Sequence, residues 1–470
     1  MSGPRTIAIV GAGFSGTVVA TNLLKARHWT PTRIFLIERS EAIGRGKAYA
    51  QRDYPYLLNV AAGRMSADSR APLDFLSFAR RHIPNAGADD FLPRALYGQY
   101  LEARLLDAER AAPAHVGFES LQGDVCTVEK IDHSLCCLQF ADGRSLFADD
   151  VVLALGNPSP AVLPGTEALG VNEGYIADPW AGPLEFRSDE TLLLVGTGLT
   201  MVDVALAAAA ASKQRIIIHS ISRRGLLPAS QTSFQHAAGE ADAASLLRAA
   251  SFSSLTLVRK VRELAEQTEN RGGDWREAVT LIRNIAPALW QRLPMREKRR
   301  LLRHVRPYWD VHRHRVPNKP LEHIKSLRQL GKLRLHAGRP EEFERAGNKV
   351  RVRWRPRGAR QSQTLVVDRV INCTGPDYNL RHSSDLLMRS LLAQGLAVPD
   401  PLHLGLRTGA NGSVINSRGR PAANLFYVGP MLRADHWEAT AAQELRGHAE
   451  QLARHLSTSE VVRMQVAAAT

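Results

Sequence analysis

Two stretches of the chain show the same order of hydrophobic and polar positions. Each begins with an apolar run typical of a buried strand, continues through a glycine turn and ends in an amphipathic helical pattern. They are "TIAIVGAGFSGTVVA" at 6–20 and "TLLLVGTGLTMVDVA" at 191–205. A strand, a glycine turn and a helix in this order predict a dinucleotide-binding unit, so two such units are expected.

The segments that follow the two turns also correspond to each other. Each copy continues through a second strand and a meander with period-two alternation, and then through an apolar strand, "DDVVLALGN" or "DRVINCTGP". We predict an α/β fold with two Rossmann-like dinucleotide-binding domains, the second nested in the first. The first domain is expected at 1–170 and 377–470, the second at 188–376, and a helical insertion within it at about 240–306.

Composition narrows the class of protein. The 470 residues exceed what one core usually organises, and the net charge of +15 favours anionic partners. No apolar run reaches membrane-spanning length, and the first strand begins almost at the first residue, so we expect a cytoplasmic protein without a targeting peptide. The four cysteines have neither metal-ligand spacing nor a CxxC pair, so no metal site is expected.

The first glycine turn predicts a site for the pyrophosphate of a dinucleotide. Gly11 permits the tight turn, Gly13 lets the backbone approach the phosphates, and Gly16 lets the helix pack on the strand. Glu38 ends the next strand, where a carboxylate accepts hydrogen bonds from ribose hydroxyls. The alternative is a glycine turn that binds nothing.

FAD is favoured over NAD at this turn because the end of the chain supplies a second contact. The stretch "NLFYVGPMLRADHWEATAAQE" is similar to the closing strand, glycine and helix start of flavoproteins with two dinucleotide domains. Those proteins commonly have Asp after the glycine, where this chain has Pro430, which cannot donate a backbone hydrogen bond. The residues assigned to FAD are Gly11, Ala12, Gly13, Phe14, Ser15, Gly16, Glu38, Arg39, Gly429 and Pro430.

The second turn is assigned to the hydride donor. Met201 stands where a third glycine would be, which affects helix packing but leaves the phosphate turn. The next strand ends in Arg223 and Arg224, whose guanidinium groups suit a 2′-phosphate, so NADPH is preferred over NADH. A solvated strand end is the alternative. The residues assigned to NADPH are Gly196, Thr197, Gly198, Leu199, Thr200, Arg223 and Arg224.

Motifs along nearly the whole chain resemble a known family. Disulfide reductases need a CxxC pair, whereas flavin monooxygenases do not, because reduced flavin and O2 form the oxidant at flavin C4a. The stretches "GKAYA", "LLNVAAGRMSA", "LPRALYGQYL" and "YWDVHRHR" resemble the bacterial FAD/NAD(P)-binding family that contains FAD-dependent urate hydroxylase and the nitrosuccinate-forming aspartate N-monooxygenase. The resemblance implies a flavin monooxygenase that uses NAD(P)H and O2. Within this family the chain, without extra domains, is more similar in length to the urate hydroxylase branch. That resemblance implies hydroxylation of urate to 5-hydroxyisourate, with N-hydroxylation of an amino acid such as aspartate as the alternative.

Three residues are candidates for the chemical step. By analogy with related monooxygenases, Asn59 is a hydrogen-bond partner for the flavin N5 edge, or else an ordinary loop residue. Arg313 and His314 are candidates to hold an anionic small-molecule substrate. We expect "WDVHRHR" to be extended, with Asp310, His312 and His314 on one face and Arg313 and Arg315 on the other. A solvated basic surface is the competing interpretation.

A basic run at 296–306 leaves another class of function open. It is compatible with nucleic-acid binding, or with an assembly surface on a protein that keeps FAD for structure. Aromatic interleaving and a known binding module are missing, so neither nucleic acid nor a membrane is expected as a partner. The sequence does not predict an oligomeric state.

Overall fold

The chain divides into two compact units. The computed structural model describes residues 3–132, 134–167, 169–170, 174–232 and 240–469. The first unit comprises Met1–Gln51, Val60–Pro158 and Tyr378–Thr470, and the second comprises Arg52–Asn59 and Ser159–Asp377. The sequence assigned the whole of 1–170 to the first domain. In the structure the short segment Arg52–Asn59 and the residues from Ser159 onward belong to the second unit.

The strands follow in chain order. They are β1 (Arg5–Val10), β2 (Thr32–Glu38), β3 (Val116–Gln122), β4 (Val125–Lys130), β5 (Cys136–Phe140), β6 (Ser145–Ala148), β7 (Asp150–Leu153), β8 (Tyr175–Ile176), β9 (Thr191–Val195), β10 (Ile217–Ser222), β11 (Ser230–Gln231), β12 (Val316–Pro317), β13 (Leu333–Ala346), β14 (Lys349–Pro356), β15 (Gln363–Val367), β16 (Arg369–Asn372), β17 (Ser413–Ile415) and β18 (Pro421–Tyr427).

The helices follow in the same way. They are α1 (Phe14–Lys25), α2 (Gly46–Tyr49), α3 (Asp74–Arg80), α4 (Arg94–Arg110), α5 (Leu199–Ala211), α6 (Glu240–Phe252), α7 (Ser254–Asn270), α8 (Arg276–Arg292), α9 (Met295–Arg300), α10 (Arg306–Arg313), α11 (Asn318–Gln329), α12 (Leu386–Ala393), α13 (Arg433–His436) and α14 (Ala442–Ala469). Short 3-10 turns occupy Ala62–Arg64, Leu380–His382, Ala410–Gly412 and Pro430–Leu432, and a π-helical turn occupies Leu301–Val305. In the described part of the chain, no helix is both long and apolar enough to cross a bilayer.

The first unit is built on a six-stranded sheet. Its strand order is β17-β18-β7-β1-β2-β3, and all neighbours pair in parallel except the edge strand β17. Parallel strands covered on both faces read as continuous apolar runs. In agreement, Ile7, Ala8 and Ile9 of β1 have no exposed surface. Strand β1 lies between β2 on one side and β7 on the other, so the strand order changes direction at β1. Ligands are expected at the carboxyl ends of the strands at such a point.

The second unit repeats this plan. Its seven-stranded sheet has the order β15-β14-β13-β10-β9-β16-β8, with β9 between β10 and β16 as β1 lies between β2 and β7. The strands β13, β14 and β15 form an antiparallel meander at one edge. The apolar residues of α5 pack on this sheet, where Val204, Ala205 and Ala208 have no exposed surface.

The insertion is helical, as predicted, but it extends further. Helices α6 to α10 carry it to Arg313, and "WDVHRHR" is mostly helical rather than extended, so that expectation is wrong. Pro307 is favourable in the first turn of α10, and Arg306 pairs with Asp310 at 3.4 Å one turn later. The amide of His314 donates to the carbonyl oxygen of Asp310 at 2.9 Å, which closes the last turn.

Candidate functional site

The first glycine turn contains two positions that the fold itself reserves for glycine. Gly11 has φ +105°, and a Cβ atom there would overlap the carbonyl oxygen of Ala154. A Cβ atom at Gly16 would overlap the carbonyl oxygen of Gly11, because α1 packs tightly on the turn. These two glycines are therefore required whether or not a ligand binds.

Gly13 is different, because the protein leaves space for a side chain at this position. Its φ is −74°, and among the described residues an added Cβ atom would meet only the Cα atom of Gly46, at 3.8 Å, which is an ordinary contact distance. Gly13 also precedes α1, whose start has no side-chain cap and no acidic residue in its first turn. Open backbone at an uncapped helix start is the arrangement that binds phosphate oxygens.

The side chain of Glu38, at the end of β2, contacts the backbone of this turn. Its Oε2 accepts a 2.8 Å hydrogen bond from the amide of Ala12, and its Oε1 accepts one of 3.2 Å from the amide of Ser40. Phe14 and Ser15 are buried, so a ligand would contact their backbone rather than their side chains. The carboxylate is thus placed where a nucleotide ribose meets the turn.

Arg39, also assigned to FAD from the sequence, already has carboxylate partners. Its Nη2 lies 3.0 Å from Asp385, and its Nε lies 3.5 Å from Asp124. Burial lowers the pKa of Arg39, but the hydrogen bond from Arg39 to Asp385 and the charges of Asp385 and Asp124 together outweigh it, so the pKa is raised. The described contacts favour a structural role for Arg39.

Gly429 and Pro430 lie at the carboxyl end of β18, as the closing strand of the pattern requires. Gly429 has φ +147°, and Pro430 opens a 3-10 turn. The next amide, that of Met431, donates to the hydroxyl of buried Tyr427 at 3.0 Å. Since Pro430 has no N–H and the Met431 amide is engaged, any flavin contact here uses other groups.

The second turn repeats the division of roles seen in the first. Gly196 has φ +121°, and a Cβ atom there would overlap the carbonyl oxygen of Cys373. In the part of the chain that the structure describes, no heavy atom lies within 4 Å of a Cβ atom added at Gly198. Met201 is fully buried in the core of this unit, which explains why a large side chain replaces the third glycine. The turn therefore keeps an open backbone position at Gly198, before the uncapped start of α5.

The other residues of this turn have distinct surroundings. The hydroxyl of Thr197 bonds with that of Ser222 at 2.9 Å and with the carbonyl oxygen of Leu226, so it ties the turn to the loop after β10. Leu199 and Thr200 are half-buried in the first turn of α5. Their backbone amides, rather than the Thr197 side chain, are the groups available to a phosphate.

A cluster of cations follows β10. Arg224 lies over the ring of Tyr308, with its Cζ atom 5.3 Å from the ring centroid. The neighbouring guanidinium groups lower the pKa of Tyr308, with Arg224 the largest cause and Arg357 a smaller one. Arg357 is anchored by its amide, which donates to Ala337 at 2.8 Å. Ala337 pairs with Ser222 of β10, directly before Arg223 and Arg224.

This cluster was only partly found from the sequence. Arg223 and Arg224 were identified because they end a strand, but Tyr308 and Arg357 are remote in sequence and carry no local motif. The parallel pairing of β10 with β13 would have indicated that Arg357 lies near Arg223 and Arg224. This pairing places Ala337 beside Ser222, and the amide of Arg357 is hydrogen-bonded to Ala337.

The three residues proposed for the chemical step all belong to the second unit. Asn59 is half-buried and ends the segment Arg52–Asn59. Arg313 is the last residue of α10, and Nε2 of His314 lies 3.9 Å from Oδ1 of Asp310. The segment Arg52–Asn59 is fixed at its start by Arg52, whose Nη2 donates to the carbonyl oxygen of Trp180 at 2.8 Å.

Comparisons with known proteins support the cofactor class and the fold. Residues 8–158, about a third of the chain, match a family described as FAD-NAD(P)-binding. No curated protein matches the chain by sequence. The match over 8–158 confirms the predicted FAD/NAD(P) class of cofactor.

Several solved structures share the fold over nearly the whole chain. The ornithine N-hydroxylase of Kutzneria sp. 744, solved with reduced FAD, NADP+ and L-ornithine, is 13% identical with a TM-score of 0.62, covering 97% of this chain and 100% of that one. The FAD-bound cadaverine monooxygenase of Erwinia amylovora is 11% identical with a TM-score of 0.64, covering 98% and 96%. The ornithine hydroxylase of Pseudomonas aeruginosa is 14% identical with a TM-score of 0.62, covering 97% and 99%. These likenesses confirm the predicted α/β fold with two Rossmann-like domains.

Proposed function

We propose that this protein is an FAD-dependent monooxygenase that uses NADPH and O2 to hydroxylate the amine of an amino acid. The observation that carries this proposal is the same in both units. At Gly13 and at Gly198 the described part of the protein leaves room for a side chain, so packing within the protein does not explain why these residues are glycine. An open backbone position at each turn is what two dinucleotides require. One chain with two such turns is suited to passing a hydride from one nucleotide to the other.

The residues present fit the two cofactors. The start of α1 and the carboxylate of Glu38 would hold the pyrophosphate and ribose of FAD, and the start of α5 would hold the pyrophosphate of NADPH. Arg223, Arg224 and Arg357 would hold the 2′-phosphate, because guanidinium groups form charge-assisted hydrogen bonds with phosphate. Bound FAD would accept the hydride and activate O2, chemistry that the side chains alone do not supply.

The reaction balances without a metal or a cysteine. The amine R–NH2, NADPH, H+ and O2 give the hydroxylamine R–NHOH, NADP+ and H2O. One oxygen atom enters an N–H bond, and the other leaves as water with the two electrons of NADPH. The protein's part is to bind both nucleotides, to orient the amine and to exclude water.

An amine is preferred over urate as the substrate. The similar solved structures include hydroxylases of ornithine and a cadaverine monooxygenase, which favours the N-hydroxylation alternative left open by the sequence. The expectation of urate hydroxylation has no such support. Asn59 stays a proposed hydrogen-bond partner of the flavin, and Arg313 and His314 stay proposed substrate contacts.

A substrate screen tests the proposal. The FAD-loaded protein is mixed with NADPH in air, and NADPH oxidation, hydroxylamine and hydrogen peroxide are measured with L-aspartate, L-ornithine, L-lysine or urate. We expect an amine to accelerate NADPH oxidation and to give hydroxylamine in proportion. Acceleration by urate alone would replace amine hydroxylation with purine hydroxylation. Peroxide formation that no added compound changes would contradict monooxygenase activity.

A further inference from the structure

The loop after β10 carries two of the arginines that we assign to the 2′-phosphate. We refer to residues 223–230 as the arginine loop. The hydroxyl of Ser222 accepts a 3.0 Å hydrogen bond from the amide of Gly225, which closes the turn around Arg223 and Arg224. Gly225 has φ +62°, a conformation that glycine adopts without strain. The arginine loop therefore begins with a turn of defined shape.

The side chain of Arg224 joins the arginine loop to α10. Its Cζ atom lies 5.3 Å from the centroid of the Tyr308 ring, a distance at which an aromatic face attracts a guanidinium group. A guanidinium that stacks by its face keeps its N–H donors at its edge, where they bind phosphate oxygens. Arg224 can therefore contact Tyr308 and a 2′-phosphate at the same time.

The arginine loop also contacts the far end of α10 through its backbone. The amide of Ala229 donates to the carbonyl oxygen of Val311 at 2.9 Å. The carbonyl oxygen of Ala229 accepts a hydrogen bond of 2.9 Å from the amide of Val316. The pairing of β11 with β12 continues directly from this contact. One residue of the loop thus holds both ends of the segment 312–315.

Helix α10 connects the side-chain contact to the backbone contact. Tyr308 lies in its first turn and Arg313 is its last residue, about 7.5 Å further along the helix axis. Nδ1 of His312 lies 2.8 Å from the carbonyl oxygen of Tyr308, within the same helix. The proposed substrate contacts Arg313 and His314 therefore follow α10 on one side and are bounded by the Ala229 contacts on both.

We propose that a bound 2′-phosphate orders the segment 312–315 through Arg224 and Tyr308, so that NADPH strengthens the binding of the amine. This inference rests on the proposed function for the identity of both ligands. A ligand that orders a segment reduces the entropy that a second ligand loses on binding there. Linkage then requires that each ligand strengthen the binding of the other by the same factor. Tyr308 is a positioning residue in this scheme, since it acts through α10.

Adenosine 2′,5′-bisphosphate is a suitable probe, because it carries the 2′-phosphate of NADPH and lacks the nicotinamide. Direct contact of the nicotinamide with the amine is the other route to cooperative binding. Adenosine 5′-monophosphate, which has no 2′-phosphate, is the matched control ligand. Amide hydrogen exchange of the FAD-loaded protein is measured by mass spectrometry with each compound. We expect the bisphosphate, and not the monophosphate, to slow exchange at 223–230 and also at 306–316.

Replacement of Tyr308 separates the connection from the nucleotide site. The residue is 45% exposed, so Tyr308→Leu should fold and still bind the bisphosphate. In this variant the bisphosphate should slow exchange at 223–230 as before and at 306–316 much less. Tyr308→Phe keeps the aromatic face and should behave as the wild type does. Arg303→Leu, an exposed position before α10, is the control and should also keep the full response.

The same variants distinguish a connecting role from a structural one. If Tyr308→Leu exchanges faster without ligand but keeps the full ligand effect at 306–316, Tyr308 only supports the helix and the inference is wrong. Calorimetric titration with L-ornithine and L-aspartate tests the amine side. The bisphosphate should lower the dissociation constant of the amine that binds by about fivefold or more in the wild type, and much less in Tyr308→Leu.

The outcomes separate this inference from the proposed function. If the bisphosphate slows exchange at 223–230 only, the connection is wrong and the monooxygenase stands. If exchange also slows at 306–316 and no amine is oxidised, the connection stands and the proposed reaction is wrong. If the bisphosphate binds no better than the monophosphate, the arginines do not hold a 2′-phosphate, which overturns both that assignment and the inference.

Discussion

The backbone amide of Ala12 donates a 2.8 Å hydrogen bond to the carboxylate of Glu38. This contact joins the glycine turn after β1 to the end of β2 and leaves Glu38 with acceptor capacity for a ribose hydroxyl, because a carboxylate has several lone-pair sites. The contact therefore places the carboxylate beside the glycine turn, where we propose that the ribose of FAD binds.

Replacing Glu38 by Ala should weaken FAD binding. Losing a hydrogen bond to a charged acceptor costs about 1.5–3 kcal/mol, so the dissociation constant should rise by roughly tenfold or more. Fluorescence titration of the flavin-free protein measures the constant. Glu41→Ala, an exposed position in the following loop, is the matched control and should bind FAD as the wild type does. Equal affinities in all three proteins would place the ribose elsewhere.

Gly13→Val should fold and lose FAD. The valine side chain would enter the space that the pyrophosphate needs, while the protein itself offers only the Cα atom of Gly46 at 3.8 Å. Circular dichroism and flavin absorbance report folding and binding separately. Gly16→Val is the contrasting variant, because its side chain would overlap the turn and should disrupt folding as well. A yellow Gly13→Val protein would contradict the assignment of the first turn.

The donor site should discriminate by the 2′-phosphate. The double replacement of Arg223 and Arg224 by Ala should weaken NADPH by about tenfold or more and change NADH little, since each charge-assisted contact contributes about 1.5–3 kcal/mol. Arg357→Ala should act in the same direction, and exposed Arg360→Ala should not. Stopped-flow flavin reduction with each nucleotide gives the constants. Parallel losses for both nucleotides would show that these arginines do not contact the 2′-phosphate.

Stability should fall in mild acid because buried His219 is paired with half-buried His336. Burial, then the charges of His336 and Arg334, lower the pKa of His219 to about 4, and its Nδ1 lies 2.9 Å from Nε2 of His336. The unfolded pKa is about 6.5, so below that pH the unfolded chain binds a proton that the folded chain does not. The stabilising contribution is complete above about pH 6.5 and is lost as the pH falls toward about 4.

Urea unfolding at about pH 5 and about pH 7.5 tests this sign. The wild type should be less stable at the lower pH, and His219→Asn should show a smaller difference between the two. Burial also lowers the pKa of His448 to about 4, so the difference should shrink rather than disappear. Exposed His304→Asn is the control and should keep the wild-type difference. A wild-type protein that is more stable at the lower pH would reverse the assignment.

The sequence pattern predicted those features of the fold that depend only on residues close together in the chain. The strands before Gly11 and Gly196, the glycine turns and the doubled plan all follow from short apolar runs and from steric limits at single positions. The open positions at Gly13 and Gly198 were expected for the same reason, although only the structure separates them from the glycines that the fold requires.

Features that depend on distant pairing were missed. The segment Arg52–Asn59 belongs to the second unit through contacts such as Tyr56 against Trp180, with ring centroids 5.3 Å apart, which no local pattern reports. Arg357 reaches the cations after β10 through the backbone register that places its amide against Ala337. The alternation in "WDVHRHR" gave a strand-like period, but Pro307 and the Arg306–Asp310 pair favour a helix.

Isotope labelling of the product tests the central claim most directly. The FAD-loaded protein is supplied with NADPH, oxygen-18 gas and L-aspartate, with L-ornithine and urate in parallel, and the products are identified by mass spectrometry. The account predicts an N-hydroxylated amino acid that carries one oxygen-18 atom, formed in proportion to NADPH consumed. Unlabelled product, or NADPH consumption that yields only hydrogen peroxide with every amine, would contradict it.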